Sequence, residues 1–226
     1  WLSGTIRMQK WIKANEERNR MKKLIALILT GIMLFALGGC GAADFDAKGY
    51  VEAALDAKFH KEYEAYANII GVSKEEAKKQ MEDEFNESLK TSMSESGLMI
   101  TDAEMEEYLK LEAEIRTKVK YEVKKAVKDK DGNFAVDVVV TPILADENLQ
   151  TLFSDKLTAA VQKGATESQY MATFLEAMRE CVANAESGED VTMTLHVKWT
   201  EKDKQKVYNI DEKEWLKLDL VSTGQK

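Results

Sequence analysis

From Val191 to Trp199 apolar and polar residues alternate without a break, with Val191, Met193, Leu195, Val197 and Trp199 on one side and Thr192, Thr194, His196 and Lys198 on the other. A period of two sends the two sets to opposite faces of a β-strand. A slip of one residue would turn the whole apolar set to water, so this segment demands a sheet with one covered face and one wet face. The cover has to come from elsewhere in the chain.

Helical periods supply it. Asp44-Phe45-Asp46 leads into a predicted helix in which Val51, Leu55, Phe59, Tyr63, Tyr66 and Ile70 keep helical spacing, stopped by Gly71. Ser73 and Glu76 form a capping box for a second helix carrying Ala77, Met81, Phe85, Leu89 and Met93 and ending near Gly97. Thr101 and Glu104 form another, with Ile100 and Met105 placed as a hydrophobic staple, ahead of Tyr108, Leu109, Leu111 and Ile115. The period then drops to two at Val119, Tyr121 and Val123, turns at Asp131-Gly132, and resumes at Phe134, Val136, Val138 and Val140 before Pro142, which predicts a β-hairpin. Leu149, Leu152, Phe153, Leu157, Ala160 and Val161 return to helix, and after a third box, Thr166 to Gln169, so do Tyr170, Met171, Phe174, Leu175, Met178, Cys181 and Val182. The alternating strand follows, then a polar turn at Glu201 to Gln205, a short strand around Tyr208 and a closing segment with Trp215, Leu216, Leu218 and Leu220. Half-polar strands among amphipathic helices give an α+β fold: a single domain over residues 46–222, with helices packed on one face of an antiparallel sheet made of two hairpins.

The N-terminal forty residues have another character. From Met21 come two lysines, then an apolar run from Leu24 to Leu37 broken only by Thr30 and Gly31, then Gly38-Gly39-Cys40-Gly41. That is the layout of a signal peptide, with a positive start, an apolar middle and small residues at the cut. Crossing a bilayer as a helix takes roughly 18 or more apolar residues, which this run does not reach. Leu37-Gly38-Gly39-Cys40 resembles a bacterial lipobox, which implies diacylglycerol on the Cys40 sulfur and cleavage just before it. Residues 1–20 precede the signal and read as an upstream extension; 21–39 are the signal peptide and 40–45 a short tether. Two acyl chains on one residue satisfy the need for two signals in stable anchoring, so the expected partner is the membrane, through the lipid, at the outer face of the cytoplasmic membrane.

The lipobox, the order of elements, and the stretches Gly49-Tyr50-Val51 through Leu55-Asp56-Ala57 and Gly71 through Ala77 are similar to a family of small Gram-positive lipoproteins of unassigned function. That resemblance implies a lipid-anchored extracytoplasmic domain with a curved sheet, running from about residue 44 onward, and no known activity.

Of 32 basic and 40 acidic side chains, residues 1–39 hold seven and two, which leaves 25 against 38 and a net charge of −13 for the processed chain. Nucleic-acid binding rests on neutralising phosphates with Lys and Arg, so this balance argues against a nucleic-acid partner. With the Cys40 sulfur spent on lipid, Cys181 is the single free thiol. Its place on a stripe of methionine and aromatic residues predicts a buried, quiet cysteine.

Signatures of catalysis are missing: there is no Gly-rich phosphate loop, G-x-S-x-G, H-E-x-x-H or C-x-x-C. His60 falls on a charged stretch and His196 on a polar strand face, so neither is assigned a metal or a catalytic role. Asp129 to Asn133 alternates acidic oxygens, but the positions where an EF-hand needs Gly and a bidentate Glu hold Phe134 and Val140, which leaves a hairpin turn. The acidic groups around Glu82, Asp83, Glu84 and Glu87, and around Glu104, Glu106, Glu107, Glu112 and Glu114, sit among lysines as a solvated face does. Asn86-Glu87-Ser88 fits the N-glycosylation pattern but falls mid-helix. No catalytic, cofactor-binding or metal-ligating residue is therefore named. The expected function is a non-enzymatic binding or accessory domain of the cell envelope, with a small molecule, peptide or protein as partner; an envelope hydrolase with an unrecognised carboxylate pair is the alternative.

Overall fold

The computed structural model describes residues 45–95, 100–202 and 205–224. In chain order the elements are α1 (Ala47–Leu55), a π turn (Asp56–His60), α2 (Glu64–Ile70), α3 (Lys74–Glu95), α4 (Asp102–Arg116), β1 (Lys120–Lys128), β2 (Phe134–Thr141), α5 (Asp146–Gln162), a 3-10 turn (Glu167–Gln169), α6 (Tyr170–Ala183), β3 (Val191–Lys202), β4 (Gln205–Ile210) and α7 (Glu212–Ser222). The four strands form one antiparallel sheet in the order β1-β2-β3-β4. The two predicted hairpins are thus joined through β2 and β3 into a meander, and the chain is α+β.

Register explains which face is buried. Val136 sits opposite Leu195, Val138 opposite Met193 and Phe134 opposite Val197, and these residues form the inner face together with Val123 and Val140. Helices α1 and α7 lie over that face, α1 against β1 and β2, α7 against β2 and β3. Tyr50, Val51 and Leu55 of α1 and Leu218 of α7 are buried there, and Phe45 stacks on Tyr208 with ring centroids 3.9 Å apart. Polar residues of the same strands face outward, where Thr194 donates to Asp137 at 2.6 Å. The predicted inward set holds from Met193 to Val197, but Val191, at the start of β3, is 38% exposed.

Strand β1 is an edge, and its pairing with β2 slips between Val123 and Ala126. The extra residue is a β-bulge, which bends the strand and, with the lysines of KYEVKKAVK, blunts an edge open to pairing with other chains. At the hairpin tip, Asp129 accepts from the backbone N–H groups of Asp131 and Asn133 at 2.8 and 2.9 Å. That carboxylate is held below its usual range by those N–H groups against a desolvation that pushes the other way. Its oxygens serve the turn, as a hairpin reading requires. Gly132, at φ +85°, takes the left-handed conformation there.

Helices α5 and α6 are inserted between β2 and β3 and pack on α4 through α6. The insertion is pinned at its base, where Leu144 N–H donates to Glu186 O and Gly188 N–H to Pro142 O. Met171, Phe174, Leu175, Met178, Cys181 and Val182 are buried as the stripe predicts; Val161, counted with the apolar residues of α5, is 49% exposed. All three capping boxes form, although the third opens a 3-10 turn before α6. Gly97 and Met93, placed at the end of α3, carry nothing further: Gly97 lies outside the described residues, as does the Met93 side chain.

The first helix departs most from expectation. A continuous helix to Gly71 is replaced by α1, the π turn, a break at Lys61 to Tyr63 and α2. The apolar positions Val51, Leu55, Phe59, Tyr63, Tyr66 and Ile70 are nevertheless all buried, because burial needs the spacing and not an unbroken hydrogen-bond ladder. The break is closed at Lys61, whose φ of 60° is left-handed, a conformation uncommon outside glycine and costly by about 1 kcal/mol or more.

Candidate functional site

The π turn and the strained residue after it lie where α1, α3 and α4 meet. Turns of this kind are rare and recur at functional sites. Widening the helix by one residue per turn redistributes the side chains of Asp56, Lys58 and His60 between two neighbouring clusters.

Asp56 and His60 face the start of β1. Tyr121 donates its hydroxyl to Asp56 Oδ1 in a short hydrogen bond. His60 Nδ1 stands 3.4 Å from that hydroxyl and 3.6 Å from Asp56 Oδ1, and the His60 and Tyr121 rings stack at 5.3 Å. The far nitrogen, Nε2, is 3.3 Å from Val119 O, so it carries the proton and donates. In the neutral ring Nδ1 is then an acceptor turned toward Tyr121 and Asp56. Burial first, then the bond to Asp56, then the charges of Asp56, Glu52 and Glu62 hold the Tyr121 phenol far above its usual range. Tyr121 is therefore a permanent donor at neutral pH, unsuited to act as a base or an anionic nucleophile.

Lys58 turns the other way, toward α7. Its Nζ lies 3.0 Å from both carboxylate oxygens of Asp219, and Arg116, the last residue of α4, reaches Asp219 Oδ1 with Nη1 at 3.3 Å. Two cations thus share one carboxylate, 161 and 103 residues away in sequence. Aromatic faces floor both: Lys58 Nζ is 4.7 Å from the Trp215 ring and Arg116 Cζ is 4.1 Å from Phe85. The Lys58 side chain is 10% exposed, Arg116 20% and Asp219 29%. Burial, opposed by Asp219 and reinforced by Arg116, lowers the Lys58 ammonium below the ordinary lysine range. Arg116 Nε is buried with no hydrogen-bond partner.

At the other end of α7, Asp211 caps the helix and its own N–H donates to His196 O, extending the β3–β4 ladder by one bond. Where β4 has ended, Glu214 accepts from the His196 backbone N–H at 2.5 Å and meets His196 Nδ1 at 2.6 Å. Lys198 Nζ reaches Asp211 at 2.6 Å. His196 therefore fixes α7 beside β3.

Three of the acidic groups weighed as a carboxylate pair have other partners. Glu104 closes its capping box, Glu82 accepts from Tyr63 at 2.9 Å near Lys61, and Glu107 takes Arg179 Nε at 2.6 Å, which pulls its carboxyl below the usual range. Cys181 is 3% exposed and donates its thiol to Ala145 O at 3.4 Å. Among the described residues there is no group of three or more His, Cys, Asp and Glu side chains placed to hold a metal ion, and no helix long and apolar enough to cross a membrane. Leu37, Gly38, Gly39 and Cys40 lie outside the described residues.

Sequence reasoning missed Asp56, Lys58, Arg116, Tyr121 and Asp219 as a group. One signal was available: Lys58 falls seven residues after Val51 and three after Leu55, on the inward face of the helix, where a lysine needs a buried partner. The partner's identity was not available, because Asp219 comes from the far end of the chain.

Among solved structures, the chain is similar to ycdA, a candidate lipoprotein of Bacillus subtilis subsp. subtilis, with a TM-score of 0.58 and 20% identity, over 80% of this chain and 56% of that one. It thus spans little more than half of that protein's length, and what the likeness shows is a shared fold. No curated protein matches it. The family model described as "Domain of unknown function (DUF5105)" matches residues 47–223, from the first residue of α1 to just past the end of α7, and the chain belongs to that family.

Proposed function

We propose that this chain is a lipoprotein anchored through diacylglycerol on Cys40 at the outer face of the cytoplasmic membrane, and that its α+β domain is a binding or accessory module of the cell envelope. The observation that carries the reading is the run from Met21 to Cys40: two lysines, an apolar stretch and Leu37-Gly38-Gly39-Cys40. Helix α1 opens at Ala47, seven positions after Cys40, which places the domain next to the bilayer. The likeness in fold to a candidate lipoprotein supports the same reading. The net charge of −13 beyond residue 39, from 25 basic and 38 acidic side chains, keeps such a domain off an anionic surface.

Metabolic labelling with a tagged fatty acid in the native host tests it. The wild-type chain takes up label and sediments with membranes, whereas Cys40→Ala does neither. Equal labelling of the two chains would overturn the assignment.

A further inference from the structure

We propose that the hairpin end of the sheet, with Lys128, Lys130 and Lys206, rests on the anionic phospholipid surface of the membrane that holds the anchor. The domain then stands end-on and presents the α5–α6 insertion outward. This inference rests on the lipid-anchor reading and adds to it a docking surface and an orientation.

Phe45 packs at one end of the sheet. Its ring stacks on Tyr208 at 3.9 Å and lies 5.9 Å from Phe134. Those two residues belong to the strand pairs nearest the hairpin turns, Phe134 with Lys128 and Tyr208 with Trp199. Cys40 precedes Phe45 by five positions, a span of at most about 18 Å. An anchor at Cys40 therefore brings this end of the sheet close to the headgroups. In the antiparallel meander the β1–β2 and β3–β4 turns share that end, whereas the α5–α6 insertion leaves from the opposite one, where Val140 pairs with Val191. Strand β2 alone, of eight residues and about 27 Å long, separates the β1–β2 turn from the insertion.

Charge is graded along the same axis. The described residues of the two hairpins, 120–141 and 191–210, hold eight lysines against five acidic side chains, or +3, whereas the insertion, 142–190, holds three basic against nine acidic, or −6. The overall negative charge opposes flat adsorption on an anionic surface, and the gradient decides which end approaches it. Screening confines the attraction to charges within about 10 Å of the lipid at 0.1 M salt, so the turns feel it and the insertion does not. Carboxylates at the near end are turned to the fold: Asp129 accepts from the N–H groups of its own turn, Asp46 accepts from Gly49 N–H, and Asp211 pairs with Lys198. Lys128, Lys130 and Lys206 are exposed. Lys206 Nζ is held 4.4 Å from the Trp199 ring and Lys128 Nζ 5.6 Å from that of Phe134. Trp199 braces the turns into one surface, donating from Nε1 to Asp131 O at 2.7 Å and from its backbone N–H to Asn133 Oδ1 at 3.2 Å.

The full-length chain is reconstituted in vesicles of phosphatidylcholine alone or with an equal part of phosphatidylglycerol. Energy transfer to a headgroup dye is read from a genetically encoded fluorescent amino acid in place of Thr200, near the β3–β4 turn, or of Lys163, in the insertion. Transfer from position 200 is expected to rise with phosphatidylglycerol and to lose that rise in roughly 1 M sodium chloride, where the Debye length falls to about 3 Å. Transfer from position 163 is expected not to rise. Lys128→Gln, Lys130→Gln and Lys206→Gln together should abolish the rise at position 200, whereas Lys74→Gln, Lys79→Gln and Lys110→Gln, an equal loss of charge on α3 and α4, should keep it. Circular dichroism checks that both variants are folded. No rise at position 200, an equal rise at position 163, a rise that survives in the hairpin variant, or one that vanishes in the helix variant would each overturn the inference. The apolar run from Leu24 to Leu37 partitions into the vesicle whether or not Cys40 carries lipid. Failure here therefore leaves the fatty-acid labelling test untouched, and the two readings fail separately.

Discussion

Tyr121 is a group whose role shows in the sign of a pH effect. Its hydroxyl donates to Asp56, which is 32% exposed, and a hydrogen bond to a charged acceptor is worth about 1.5–3 kcal/mol when well buried. With Asp56 part-solvated, Tyr121→Phe should cost about 1–2 kcal/mol at neutral pH. The folded phenol titrates far above its ordinary value of 10.0. Its contribution is therefore fully present below pH 10 and lost as pH rises further, because the unfolded chain gives up its proton first. Urea titrations of both proteins between pH 7 and 11 should show the gap constant up to about 10 and narrowing above it. A gap that widened in alkali would mean that the hydroxyl is not a donor to Asp56. Nothing in the sequence marked Tyr121 for this, since it was legible only as an apolar position of a strand. Its partners depend on the π turn, which hydrophobic spacing does not report.

At the scale of elements, β3 is where sequence and structure agree best and where one refinement is needed. Leu195 is fully buried opposite Val136, so Leu195→Ala opens a cavity and should cost about 2–5 kcal/mol. Thr194, on the other face, was legible as exposed. It is half-buried and donates to Asp137, so Thr194→Ala should cost about 0.5–1 kcal/mol, more than a free surface position. Urea denaturation of the two variants checks the pair, and equal losses would break the strand's assigned facing. Alternation makes such a strand readable because each residue's face follows from its parity. Helix ends were readable for a similar reason: Ser73 with Glu76 and Thr101 with Glu104 are local hydrogen-bond circuits written within four residues. The break at Lys61 was not, because it stops a helix at a residue with no helix-ending chemistry; tertiary packing around Phe59 and Tyr63 outweighs local preference there.

For the whole molecule, the central fact is that the π turn after α1 and the helix α7 are tied together through Lys58 and Asp219, 161 residues apart. Short-range patterns cannot announce such a pair, which is why the fold class could be read from the sequence and the candidate site could not. The tie also predicts how damage at one end is felt at the other. Asp219→Asn leaves Lys58 charged, largely buried and beside Arg116. Breaking a fully buried pair this way costs about 3–5 kcal/mol, and the partial exposure of Asp219 reduces the expectation to about 2–3 kcal/mol. Lys58→Met leaves Asp219 paired with Arg116 and should cost less than about 1 kcal/mol. In the double variant the uncompensated ammonium is gone, so Asp219→Asn on a Lys58→Met background should lose at least about 1 kcal/mol less than it does alone. A pH series adds an independent sign. The folded ammonium titrates below its ordinary 10.5, so in the window beneath 10.5 the unfolded chain holds more protons and wild-type stability rises with pH. Lys58→Met lacks that rise, so the wild type should gain on the variant between neutral and alkaline pH. Additive losses in the cycle would show that the π turn and α7 are not coupled through this charge, whereas a wild type that instead loses ground to Lys58→Met in alkali would show that Asp219 outweighs burial and holds the ammonium above its ordinary range.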